Sequence, residues 1–456
     1  MTSTSQATHH GTAYRAAHAA RLAAAEHQPQ WMLELREQAM ARFEAVGFPT
    51  ARRGNEPWKY TDASPIAEAT FGTPPTAGPE PLTVALKPFA LPCARVHEIV
   101  FIDGRYTPQM SSVPGDTEPL PAGTFERHAS GLVVGRLAEA IHRELPQVRA
   151  HLSKHAGMDA NAFTALNTAF IEDGAFVWIP DDAVVTEPIY LLFIGTGKGD
   201  AYVTHPRVLV VAGKHSKASV IVSHEHLGDG GYFSNAVTEA VLGPGAHLGL
   251  WRLQRESARA FHVATTQATL GRDSTLTSAS AELGGKLARH DFNVTLAEQG
   301  ASCRVNGVYV TDGTRHVDTH TFIDHAVPRT TSNEVFKGIL SGDSRGVFVG
   351  NVLVRPDAQR SEAHQLNKNL LLSSGAHVDT QPRLEIFADD VQCTHGAAVG
   401  SLDDAALFYL KSRGIGEGLA RVLLTHGFMR EVIESITDEA VRQHLDTAVE
   451  ATLPHD

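Results

Sequence analysis

The chain is predicted to be mainly β: a rod of stacked parallel strands, a β-helix, held between an N-terminal helical domain and a C-terminal helical region. Three observations predict this. After Gly174 the texture turns to short β-branched runs at 175–179, 189–193, 207–211 and 218–222, separated by Gly, Asp and Asn. Within this region a Gly between two apolar runs recurs at Gly213, Gly245, Gly271, Gly300, Gly342 and Gly375, with spacings of 32, 26, 29, 42 and 33. Glycine supplies corners that other residues resist, and a period of 20–50 residues marks stacked units. Finally, no helix-period segment of useful length returns until about residue 403. On these patterns a β-sandwich with Gly turns remains the alternative.

The elements follow in order. Residues 1–12 are polar and are expected to be disordered. Residues 13–170 read as a mainly helical domain with a linker. An Ala-rich stretch covers 14–26, and a second helix covers 31–46 with Leu33, Leu35, Met40, Phe43 and Val46 on a loose stripe. Gly47-Phe48-Pro49-Thr50 stops it. Pro, Gly and Thr make 73–93 a linker. Helical patterns return at 135–156, interrupted near Pro146, and at 162–171. Residues 171–402 form the β-helix core. Residues 403–456 form the C-terminal helical region: Asp403 and Asp404 suit an N-cap and first turn, and Gly414 suits a stop. Further helices are expected at 417–425, 429–436 and 438–448. Leu407 and Phe408, then Leu419 and Phe428, leave apolar faces that either pack on the rod's end or receive a partner.

Composition narrows the function. The 456 residues suffice for two or three domains, and 42% hydrophobic with 20% charged residues describes a soluble globular chain. A net charge of −12 argues against nucleic acid and against an anionic membrane surface. No apolar run is long enough to span a membrane and no signal peptide is readable. Cys93, Cys303 and Cys393 are too widely spaced for a disulfide framework, which fits a reducing, cytoplasmic setting.

Motifs for catalysis are missing. Gly195-Thr196-Gly197-Lys198-Gly199 lacks the spacing and hydroxyl residue of a phosphate loop, so no intrinsic ATPase activity is expected. No Gly-x-Ser-x-Gly elbow occurs. Two ligand-type constellations remain. In extended chain, residues two apart share a face, so Cys393 and His395 present sulfur and nitrogen donors side by side. The same spacing places His316, Asp318 and His320 together, as a metal-dependent enzyme of β architecture would require. One thiolate and one imidazole leave a tetrahedral site incomplete, and no Cys-x-x-Cys is present to hold a four-thiolate cluster. A second polypeptide would have to complete the first site.

The surrounding wording is specific. Asp389-Asp390-Val391-Gln392-Cys393-Thr394-His395-Gly396-Ala397-Ala398-Val399-Gly400, then Leu407-Phe408-Tyr409-Leu410-Lys411-Ser412-Arg413-Gly414, closely resembles the C-terminal signature of the SufB/SufD family of iron–sulfur cluster assembly proteins. Ala363-His364-Gln365-Leu366-Asn367-Lys368-Asn369 matches too, as does Arg53-Gly54-Asn55-Glu56-Pro57-Trp58-Lys59-Tyr60-Thr61. The Cys-x-His-Gly-Ala form resembles the SufD branch rather than SufB. The resemblance implies a central right-handed parallel β-helix. It implies a non-enzymatic scaffold subunit in a SufBCD complex, with a transient iron–sulfur cluster shared with a SufB-like paralogue. Cys393 and His395 would be its metal ligands on this chain. It also implies a SufC-like ABC ATPase docked on the C-terminal helices, around Leu407, Phe408, Leu419 and Phe428. It leaves room for a flavin in the complex and for a homodimer of the isolated chain.

Overall fold

The computed structural model describes residues 14–23, 28–51, 55–75, 86–93, 95–112, 117–119, 125–128, 131–159 and 161–453. The tail expected to be disordered (1–12), Arg53 and Gly54 of the N-terminal motif, and positions 76–85 of the linker lie outside them.

The β-branched runs form a parallel β-helix built of two facing sheets. In the ten-stranded sheet, Lys217 pairs with His247, His247 with Thr275, Thr275 with Ser302, Ser302 with Thr331, Thr331 with Glu362 and Glu362 with Gln392. One coil therefore takes 27 to 31 residues. Alternate residues point into the rod. Val220, Leu250, Leu276, Val305 and Ala363 meet Val210, Ala240, Ala268, Val294 and Val352 of the twelve-stranded sheet in one dry core. The intervening residues Ile221, Trp251, Leu253, Val308 and Ile339 point outward and are covered by the C-terminal helices. Burial on both faces explains why these strands read as apolar runs rather than as clean alternation.

The recurrent glycines sit at the corners, and the uneven spacing has a structural cause. Gly300 (φ +77°) lies in a tight turn from the twelve-stranded to the ten-stranded sheet, whereas Gly342 (φ +64°) turns in the opposite sense. The interval of 42 between them is one coil plus the crossing to the other edge of the rod.

The region preceding residue 171 is mixed. His97–Ile102 pairs in parallel with Ile189–Gly195, and Val133–Arg136 pairs antiparallel with Gly174–Ile179, so both sheets extend into it. The pattern from residue 135 opens as strand through Arg136 and then forms the helices Leu137–His142 and Pro146–His151. The helix Gln30–Val46 ends at Gly47, whose φ of +64° closes it. Its buried face carries Met32, Arg36, Ala39, Met40 and Phe43. Arg36 is the departure from the apolar stripe: its guanidinium donates to the Ala169 carbonyl at 3.1 Å.

Two polar clasps fix this region to the rod. The buried Glu239 carboxylate accepts Arg207 Nη2 at 2.6 Å and the backbone N–H groups of Ser153, His155 and Ala156 at 2.9 to 3.0 Å. Trp58 packs with Phe163, Val203, Phe233 and Leu287, and the Arg289 guanidinium lies 3.9 Å over its ring. The aromatic piece of the N-terminal motif is thus a packing anchor.

Beyond the last strand, Asp403 caps the helix Asp404–Ser412 by accepting the N–H of Ala405 at 2.8 Å, and Gly414 follows with φ +86°. The expected break near residue 426 is absent: Glu417–Glu434 is one helix. Gly427 costs about 1 kcal/mol in a helix, and the packing of Val422, Met429, Val432 and Ile433 against the rod outweighs it. The third helix is Glu439–Glu450. Among the described residues, no helix is long and apolar enough to cross a membrane.

Candidate metal-ligand site

Cys393 and His395 lie on Gln392–Gly400, the last strand of the ten-stranded sheet. On one side this strand pairs with Glu362–Leu371; its other edge meets no strand among the described residues. A bare edge presents a row of unsatisfied N–H and C=O groups, a ready place for another chain. The last coil is correspondingly open: Ile386, Phe387 and Val399 are 40%, 62% and 48% exposed. These three carry apolar surface that sequence reasoning did not single out.

Register settles which way the pair faces. Cys393 stacks on Ala363 and His395 on Gln365, both inward-facing and buried. The two donors therefore share the face that continues the rod's interior, as the spacing predicts. Cys393 is half-buried against the core, and this burial raises its thiol above the ordinary range, while the Ala363 backbone opposes the shift. A bound metal would have to take the thiol as thiolate. His395 is exposed. Thr394, on the opposite face, hydrogen-bonds His364 Nδ1 at 2.8 Å.

Beneath His395 the interior is polar. Gln365 donates to Glu334 Oε2 at 2.8 Å, and Gln365 Oε1 and Glu334 Oε1 have no hydrogen-bond partner. Burial pushes the Glu334 carboxyl up to about 7, with the Gln365 and Thr321 side chains acting against it. The i, i+2 rule applied across neighbouring coils would have found this column, but the coil length had to be known first.

His316, Asp318 and His320 also share a face, but their carboxylate is already engaged. Asp318 Oδ2 accepts Arg289 Nη1 at 2.7 Å and the Thr61 hydroxyl at 2.5 Å, and Oδ1 lies 3.0 Å from His320 Nε2. Thr61 also reaches His316 Nε2 at 2.9 Å. His320 and Arg289 outweigh burial and hold the Asp318 carboxyl well below its usual range. A guanidinium in the middle of the group neutralises the charge that a metal would need. The arrangement instead fastens the Trp58–Thr61 segment to the rod.

The four apolar residues of the tail divide. Phe408 and Leu419 are 74% and 59% exposed, and Leu407 is half-buried. Phe428 packs against the rod, with Lys337 Nζ 5.1 Å over its ring and bonded to its carbonyl at 2.8 Å. Tyr409 and Leu423, exposed by 57% and 47%, extend the free apolar surface. The helix Asp404–Ser412 buries no residue at all.

Known proteins are similar to this chain in sequence. Residues 193–428 match the family described as SUF system FeS cluster assembly, SufBD core domain, and residues 12–191 match the SufBD protein N-terminal region. The chain is 34% identical to an iron–sulfur cluster assembly SufBD family protein of Synechocystis over 84% of this chain and 83% of the relative. It is 29% identical to the iron–sulfur cluster assembly protein SufD of Escherichia coli over 92% of each. Identity to the protein of the same name in Bacillus subtilis is 24%, over 93% of this chain and 94% of that one. With a parallel β-helix ending in the Cys393/His395 strand, and with these matches along nearly its whole length, the chain belongs to the SufB/SufD family of iron–sulfur cluster assembly proteins.

Proposed function

We propose that this chain is the SufD-like, non-ATPase subunit of a cytoplasmic SufBCD scaffold. Its last strand lies against a SufB-like paralogue. At that interface Cys393 and His395 supply part of the ligand set for a nascent iron–sulfur cluster, which is the cargo of the complex rather than a resident cofactor. The observation that carries this reading is the placement of both donors on the last coil, beside an unpaired strand edge and exposed Ile386, Phe387 and Val399. Two donors assemble a cluster only with help, and the same shortage lets the cluster leave.

The C-terminal helices are the proposed dock for a SufC-like ABC ATPase. Phe408 and Leu419 offer apolar side chains to it, and Phe428 holds the second helix to the rod. ATP-driven closure of that partner would pull on Asp404–Ser412 and, through residues 401–403, on the strand that carries Cys393 and His395.

The deciding experiment is His395→Ala in the reconstituted three-component complex. Cluster build-up, followed by absorbance and acid-labile sulfide, is expected to fall while the ATPase still co-purifies. An unchanged cluster yield would take His395 out of the site.

A further inference from the structure

A second group of ligand-type side chains lies inside the rod, several coils away from Cys393. His224 comes from the strand Lys217–His226, Glu256 follows His247–Arg255, and His262 belongs to Phe261–Leu270. All three are buried, and one ligand atom from each lies within 4.8 Å of the others. The two imidazole rings meet edge to face with centroids 4.8 Å apart. His262 Nδ1 faces Glu256 Oε2 at 2.5 Å, outside hydrogen-bond alignment. Both ligand atoms thus point toward one place at an angle that makes no hydrogen bond, while Gln254 Nε2 donates to the same Glu256 oxygen at 3.1 Å. His224 and Glu256, though not His262, also line a cavity of about 10 Å³, the smallest space that holds one water.

The charges fit a cation. Burial keeps both imidazoles neutral, the form that ligates. Burial also raises the Glu256 carboxyl, with His224 opposing it, so a lone anion there is costly. The nearest guanidinium, Arg252, is already paired with Glu282. Its second N–H approaches His262 Nε2 at 2.5 Å. That contact uses the Nε2 lone pair, so the neutral ring carries its proton on Nδ1.

We propose that His224, Glu256 and His262 form an interior site for one divalent first-row transition ion of the zinc or ferrous class, separate from Cys393 and His395. Two imidazoles and one carboxylate suit such an ion rather than calcium or magnesium, which prefer all-oxygen shells. Binding is an exchange without redox. The cation takes Nδ1 of the still-neutral His262 ring, whose proton passes to Nε2 as the Arg252 N–H gives up that contact and stays with Glu282.

The test uses zinc and the untagged full chain, folded in the presence of zinc and then dialysed against EDTA. We expect one zinc per chain by elemental analysis, with a nitrogen and oxygen shell free of sulfur by X-ray absorption. Retention should be unchanged in Cys393→Ala and His395→Ala, lost in His262→Gln and Glu256→Gln, and weaker as pH falls. Zinc-free wild type overturns the proposal, as does undiminished retention in either folded substitution. If both substitutions prevent folding, the wild-type spectrum decides, and a shell containing sulfur overturns it.

Discussion

Gln365 lies in register directly beneath His395, and its amide is bonded on the inward side to Glu334. The exposed His395 at the mouth of the rod thus stands on a buried amide and a buried carboxyl whose Oε1 atoms lack partners. Residues two coils deep therefore bear on how the last coil is held.

The first prediction concerns Glu334. Its folded-state carboxyl titrates at about 7, above its ordinary value of 4.5. The native state then holds a proton that the unfolded chain has released, so stability falls as pH rises between those values. The full loss is about 3 kcal/mol at most. Glu334→Gln keeps an acceptor for Gln365 and removes the titration. Denaturant midpoints at pH 5 and pH 7.5 should differ less in the variant than in wild type, and an equal difference would contradict the assignment.

A second prediction addresses the Glu239 clasp. Replacing Glu239 by Ala leaves the fully buried Arg207 without its counter-charge and three backbone N–H groups without their acceptor. Breaking a buried pair in this way costs about 3–5 kcal/mol. Hydrogen exchange should rise first at residues 146–169, before the coils beyond Gly300. Glu239→Gln, which retains an acceptor oxygen, should lose less.

How much of this was legible in the sequence varies by element. The rod was readable because glycine corners and β-branched runs are local signals, and Asp403 and Gly414 marked their helix with side-chain chemistry of their own. Cys393 and His395 could be paired on one face because strand geometry fixes i and i+2. What remained hidden depends on contacts between coils. Glu334, Gln365 and His395 are about 30 residues apart at each step, and only the register aligns them. The His224, Glu256 and His262 group is hidden for the same reason. His316, Asp318 and His320 show the converse: their spacing was legible, but Arg289 and Thr61, which occupy Asp318, come from elsewhere in the chain.

That clasp yields a third prediction. Asp318→Asn should leave the metal content of the purified chain unchanged while loosening the segment around Trp58, seen as faster proteolysis near residue 55. Asp318 is held ionised by His320 and Arg289, so its stabilising contribution is present above its unfolded pKa and is lost only in strong acid. A drop in bound metal, with the segment still protected, would favour a metalloenzyme at this position.

The last prediction separates docking from packing in the tail. Phe408 and Leu419 are exposed, and surface substitutions of this kind shift stability by less than about 0.5 kcal/mol. Phe408→Asp and Leu419→Asp should therefore leave the melting temperature nearly unchanged and abolish co-purification of the ABC ATPase. Phe428→Ala should behave differently. It removes a ring packed against the rod and beneath Lys337, so it should destabilise the chain by about 2 kcal/mol or more. Any loss of ATPase binding in that variant should follow the loss of helix 417–434, measured by circular dichroism. If Phe408→Asp and Leu419→Asp retain the ATPase while remaining folded, the docking surface is elsewhere. The motion proposed to reach Cys393 through residues 401–403 would then have no handle in this helix.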